Sequence, residues 1–110
     1  MKLFGSSFSP FVRKVLAYAA ERGIDLEMVQ TTLNTTDPDF LRASPLRKMP
    51  AFTDGDFAIS DSTAILTYLE GKFPENGLTP SDPADRARAV WFEELADTVM
   101  SAVVFKCFFN

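Results

Sequence analysis

Apolar and polar positions divide the first two thirds of the chain into short alternating segments. Residues 1–4 are an apolar start that predicts a strand, and residues 5–9 are small and polar. Val12, Val15, Leu16 and Ala19 then recur at helical spacing, with Ser9 as N-cap, Pro10 as the first helical residue and Gly23 as the breaker that ends the helix. In residues 24–31, Leu26 and Met28 or Val29 alternate with polar neighbours and predict a short strand, so a parallel βαβ unit is expected. Asp37 and Pro38 are placed to start a short helix carrying Phe40 and Leu41 on one face. Residues 49–53 and 57–59 flank Asp54, Gly55 and Asp56, which is a hairpin signal. Ser60, Asp61 and Ser62 then cap a helix that buries Ala64, Ile65, Leu66, Tyr68 and Leu69 and ends near Gly71. The predicted order is βαβ, short helix, ββα.

The pattern changes at residues 73–83, which hold three prolines and one glycine and read as a linker. A boundary is placed there, giving residues 1–78 as one domain and 79–110 as the end of the linker and the first helix of a partial, all-helical domain. Asp82 serves as N-cap, Pro83 as N1 and Asp85 as N3 of a long helix through Ala87, Val90, Trp91 and Leu95. From Val99 onward, Val99, Met100, Ala102, Val103, Val104, Phe105, Phe108 and Phe109 leave almost no polar face. A helix apolar all round needs neighbours on every side. The expectation is the front of a longer helical domain or a tight oligomer.

Composition narrows the function more than the fold. The 110 residues suffice for one ordinary domain, and 46% apolar residues with eleven phenylalanines supply a real core. A net charge of -4 without a Lys/Arg run argues against a nucleic-acid or anionic-membrane surface. The N-terminus lacks the apolar run of a secretory signal and no stretch approaches a membrane span, so a soluble, cytoplasmic protein is expected. The single cysteine, Cys107, makes no internal disulfide and reads as a small buried hydrophobe. The chain has no histidine, which removes His-based triads, imidazole bases and most zinc sites, and no metal is called for. Hydroxyls, carboxylates, backbone dipoles or a bound cofactor remain.

Three motifs then occur in order: SPFVRKV from Ser9 to Val15, RKMPAF from Arg47 to Phe52, and ISDSTAILTYLEGKFP from Ile59 to Pro74. With this spacing the chain resembles the glutathione transferases, and within them the bacterial serine-type members. The resemblance implies an α/β fold: a thioredoxin-like βαβ-α-ββα domain that binds glutathione, followed by the first helix of an incomplete all-α domain. It implies Ser9 as the catalytic side chain, with Ser7, and Ser6 in the same loop, as competitors. Pro50 resembles the cis-proline of that fold, with the backbone of Met49 pairing with the cysteinyl part of glutathione. Asp61 and Ser62 match the pair that holds the γ-glutamyl end. Thr35, Lys48 and Arg47 are the candidates for the glycyl carboxylate. Asp97 resembles an acidic residue that in several classes reaches the neighbouring subunit's γ-glutamyl group, and equally reads as a solvated surface charge. The implied partners are glutathione as co-substrate, a small electrophile and a second copy in a homodimer.

The chemistry of the first motif is a hydroxyl at a helix N-terminus, where orphan amides and the dipole favour an anion. An ordinary cysteine thiol titrates at about 8.5, and lowering that by about two units needs about 2.7 kcal/mol. A hydrogen bond to a charged acceptor supplies about 1.5 to 3 kcal/mol. Ser9 by itself reads equally as a simple N-cap; it is not a nucleophile, because no base stands by to deprotonate it. A thioredoxin or glutaredoxin needs a cysteine at position 9, and a dithiol enzyme a second at Val12, so redox exchange is set aside. The remaining alternatives are a non-catalytic glutathione-binding or assembly module, and a glutathione-dependent peroxidase, isomerase or dehalogenase. Trp91, Phe92, Phe105 and Phe108 read as packing residues or as lining of an electrophile pocket.

Overall fold

In the computed structural model, which describes residues 1–109, local side-chain chemistry sets the helix ends. Ser9 Oγ accepts from the Val12 N–H at 3.4 Å and caps α1 (Pro10–Arg22). Gly23 ends it at φ 67°, its own N–H and that of Ile24 returning to the carbonyls of Ala20 and Ala19 in a Schellman closure. That closure holds Ile24, so the following strand is shorter than the alternation predicts: β2 covers only Glu27–Gln30. Asp37 caps the short α2 (Pro38–Ala43), and Asp61 caps α3 (Ser62–Lys72) by accepting from the Ala64 N–H at 3.0 Å.

The strands β1 (Lys2–Gly5), β2, β3 (Ala51–Asp54) and β4 (Phe57–Ser60) form one sheet in the order β2-β1-β3-β4. The pair β1–β2 is parallel, as the βαβ reading requires, while β1–β3 and β3–β4 are antiparallel. Asp54, expected in the hairpin turn, is the last residue of β3. Gly55 takes the left-handed φ of 60° instead, and Arg42 of α2 donates to the carbonyl oxygens of Gly55 and Asp56.

Strand alternation gives the sheet two apolar faces. Leu3 and Phe52, partners across β1–β3, pack with Val12, Val15, Tyr18, Ile65 and Leu69 of α1 and α3. Their neighbours Phe4 and Ala51 point the other way, onto Phe40 and Ala43 of α2. At the far ends of α1 and α3, Arg22 is buried against Glu70 at 3.1 Å and donates to the Tyr18 hydroxyl and to the carbonyls of Phe73 and Glu75. The Tyr18 hydroxyl donates to Glu70 at 2.6 Å. Burial first, then the Glu70 carboxylate, pushes the Tyr18 phenol up to about 12, against the opposing pull of Arg22.

These elements belong to one compact unit, Met1–Asn76, and a second unit begins at Gly77. The second holds α4 (Pro83–Leu95), capped by Asp82 through the Asp85 N–H, a π-helical turn (Ala96–Met100) and α5 (Ser101–Phe109). Among its described residues none is buried, and Trp91, Phe92, Val99, Met100, Val103 and Phe108 are each more than half exposed. Cys107 is exposed as well, contrary to the expectation of a buried hydrophobe: it stands beside the exposed Phe108 on α5, a helix with no buried residue among those described. No described helix is long and apolar enough to cross a membrane.

Candidate functional site

Topology brings the predicted residues to one end of the sheet. The loop 5–9 leaves the C-terminal end of β1, and Thr31 at the exit of β2 donates to the Gly5 carbonyl at 3.0 Å. Because β3 runs antiparallel to β1, its N-terminal residue Ala51 lies beside Phe4, which sets Met49 and Pro50 against that loop. Ala51 also pairs with Ser60, so Asp61 and Ser62 emerge at the same end from β4. The N-termini of α1 and α3 therefore both open there, at the strand ends where open α/β sheets bind ligands.

Within the first loop the three serines differ. Ser6 Oγ accepts from the Phe8 N–H at 3.2 Å, closing a local turn. The Ser7 N–H is 3.4 Å from Gln30 Oε1, and Ser7 is exposed. Ser9 is half-buried, fixed by its N–H to the Ser6 carbonyl at 3.0 Å, and its Oγ lies over the first turn of α1 as an acceptor, leaving its proton for another group. Gly5 makes the loop possible: a Cβ there would lie 2.6 Å from Val12 Cγ2 and 3.2 Å from Met49 Cβ.

The Met49–Pro50 peptide bond is cis, and Pro50 is fully buried. The Met49 thioether accepts from the Ser6 N–H at 3.3 Å, tying the second motif to the first. Ser44, which the sequence reading passed over, anchors the approach to this bond. Fully buried, its Oγ accepts from the Lys48 N–H at 2.9 Å and donates to the Lys48 carbonyl at 2.6 Å. Its only sequence signal is a Ser-Pro step at the end of α2.

At the third motif, Asp61 has φ 85° and ψ 125°, a sparsely populated conformation for a residue with a side chain, of the kind that collects at ligand sites. One of its carboxylate oxygens caps α3, which leaves the second for a ligand cation. Ser62 is almost fully buried, and its Oγ accepts from Lys14 Nζ of α1 at 3.0 Å. Lys14 also reaches Thr63 Oγ1 at 3.2 Å. The sequence carried Lys14 inside its first motif without giving it a part.

The glycyl candidates are less alike than their sequence neighbourhood suggests. Thr35 Oγ1 accepts from the Asp37 N–H at 3.1 Å, so the hydroxyl organises the start of α2. Arg47, at φ 56°, donates to the carbonyls of Leu33 and Thr35 at 3.1 and 2.8 Å and braces that loop. Lys48 is exposed, and only its backbone is held. Asp97 lies in the π-helical turn of the second unit, its carbonyl accepting from Ser101 Oγ.

Residues 3–77 match the family described as glutathione S-transferase, N-terminal domain. A glutathione S-transferase of wheat, Triticum aestivum, is 39% identical over 80 residues, covering 73% of this chain and 37% of the wheat protein. Among solved structures, a glutathione S-transferase of Methylobacterium radiotolerans in complex with glutathione sulfonate is 32% identical with a TM-score of 0.82, covering 97% of this chain and 51% of that one. Another from Methylobacillus flagellatus, with glutathione bound, is 36% identical with a TM-score of 0.81, covering 94% and 52%. This chain spans about half the length of the relatives it matches. The family match over residues 3–77, on a sheet and helix order that gathers all three motifs at one end, shows that the chain belongs to the glutathione S-transferases.

Proposed function

We propose that this chain binds glutathione across the three motif loops and holds its thiol as the anion for conjugation to a small electrophile. The observation that carries the reading is Ser9: a half-buried N-cap hydroxyl, with its proton available, at the positive end of α1 and beside the loop of Met49. Ser9 donates to the sulfur. The thiolate then forms a carbon–sulfur bond as the leaving group departs with its electron pair, or as a double bond takes up a proton from solvent, and the product is a thioether. The Met49 backbone holds the cysteinyl part beside Pro50, and the zwitterionic γ-glutamyl end lies on Ser62 and Asp61, carboxylate to hydroxyl and ammonium to carboxylate. Thr35 shapes the loop at the glycyl end, and Lys48, whose ammonium is exposed, takes the glycyl carboxylate ahead of Arg47.

Conjugation of an activated aryl halide tests the assignment. If Ser9 lowers the thiol by about two units, Ser9→Ala slows the reaction about 50-fold at pH 6.5, where the thiolate fraction falls from about one half to about one hundredth. Ser7→Ala leaves the rate within about twofold. An unchanged rate in Ser9→Ala, or the loss appearing in Ser7→Ala, removes Ser9 from the role.

The second reading, a glutathione-binding module without conjugating activity, is favoured by the second unit, where no described residue is buried. We infer that residues 79–110 are the front of a longer helical domain, and that the active species is a cytoplasmic homodimer serving detoxification. The match to only about half, or less, of each relative's length supports the first point. Retained glutathione binding with no conjugation to any electrophile favours the module.

A further inference from the structure

We propose that this chain selects planar aromatic electrophiles bearing a carboxylate, with the Phe8 ring as the platform for the aromatic ring and the Arg13 guanidinium as the partner of the carboxylate; the inference rests on the reading of Ser9 given above. A cavity of about 520 Å³, within the range of about 300 to 1,000 Å³ usual for small-molecule sites, opens between the 5–9 loop and α1. Phe8 walls it from the loop, and Arg13, Leu16 and Ala17 wall it from the helix. The Arg13 N–H donates to the Ser9 carbonyl at 3.0 Å, which puts Arg13 one turn above Ser9. Ser9, Arg13, Leu16 and Ala17 thus share one face of α1, at the spacing i, i+4, i+7 and i+8. An electrophile has to touch the sulfur that Ser9 holds, and the cavity starts at the neighbouring Phe8.

The wall combines two chemistries. Phe8 is 91% exposed although its backbone is fixed, its N–H donating to Ser6 Oγ at 3.2 Å, so a large ring is held uncovered beside the reactive position. Such a ring gains most from an offset-stacked or edge-on aromatic partner. Leu16, packed against the core, adds an apolar floor. Arg13 is exposed and is the one charged residue lining the cavity, and its guanidinium meets no carboxylate or carbonyl among the described residues. In a chain of net charge -4 this wall carries only a positive charge, and the planar fork of a guanidinium matches a carboxylate in two hydrogen bonds. With an aryl chloride, the thiolate sulfur bonds to the ring carbon, the carbon–chlorine bond breaks and chloride leaves with its electron pair. The carboxylate stays bound to Arg13 and is unchanged.

Steady-state conjugation by the full chain tests this with three electrophiles: para-chlorodinitrobenzoate, its carboxamide, which keeps the ring and lacks the charge, and iodoacetamide, which has no ring. Each kcat/KM is divided by the uncatalysed rate constant with glutathione. Wild type is expected to favour the benzoate over the carboxamide about fivefold, through KM. Arg13→Gln is expected to bring that ratio to about one, and Arg13→Lys to keep about half of it. Phe8→Ala is expected to lower the ratio of carboxamide to iodoacetamide about tenfold, and Phe8→Tyr to keep it. A benzoate-to-carboxamide ratio near one in wild type overturns the proposal. So does a ratio that Arg13→Gln leaves unchanged, and so does a Phe8→Ala loss that is equal for the carboxamide and iodoacetamide. Where wild type still conjugates iodoacetamide, such a result leaves the reading of Ser9 standing. Wild-type chain that conjugates none of the three overturns that reading, and this inference with it.

Discussion

At the scale of single residues, the site depends on side chains that shape loops as much as on those that meet the ligand. Gly5 is the clearest case: with Val12 Cγ2 2.6 Å from where a Cβ would stand, Gly5→Ala forces the loop and α1 apart. We expect it to cost about 1 to 3 kcal/mol in urea unfolding and to weaken glutathione binding. Ser44→Ala strips both partners from the Lys48 backbone and is expected to cost about 1 to 3 kcal/mol by the same measurement. The caps Ser9, Asp37, Asp61 and Asp82 were legible in the sequence, because a polar residue before a helical run has one local job. Ser44 and Lys14 were not, since each acts on a group that only the folded chain brings near.

At the scale of elements, the βαβ unit, the short helix and the ββα unit follow from periodicity, and their errors are errors of length. The predicted strand 24–31 lost its first residues to the closure of α1, and the third strand began at Ala51, past the buried Pro50, rather than at Met49. The clamp of Tyr18, Arg22 and Glu70 between α1 and α3 left no sequence signal, because its members lie 4 and 48 residues apart. Arg22→Met leaves Glu70 without its cation and two carbonyls without a donor, and is expected to destabilise by about 3 kcal/mol. The Tyr18 phenol, raised to about 12, contributes stability that is full below about pH 10, its ordinary range, and is lost as pH rises toward 12. Asp54 works in the opposite direction. Hydrogen bonds from Lys72 and then Tyr68 hold its carboxyl below the usual range, so its contribution is present above about pH 4 and lost as pH falls. Thermal melts across pH should show Tyr18→Phe flattening the alkaline limb and Asp54→Asn the acid limb; an alkaline limb unchanged in Tyr18→Phe assigns that loss elsewhere.

At the scale of the whole molecule, the first unit carries two apolar cores and the three motif loops, while the second presents Trp91, Phe92, Val99, Met100 and Phe108 to solvent. The apolar run from Val99 announced this exposed apolar surface in the sequence. The chain is expected to self-associate in sedimentation at micromolar concentration; a well-behaved soluble monomer contradicts a need of the last helix for partners. The central claim concerns a sulfur that the chain does not itself carry. It is tested most directly by titrating the thiol of bound glutathione through its thiolate absorbance in the ultraviolet, in wild type and Ser9→Ala. The bound thiol is expected to titrate about two units below the free value of about 8.5 in wild type and to return to that value in Ser9→Ala. A bound thiol that titrates at the free value in the wild-type chain contradicts it.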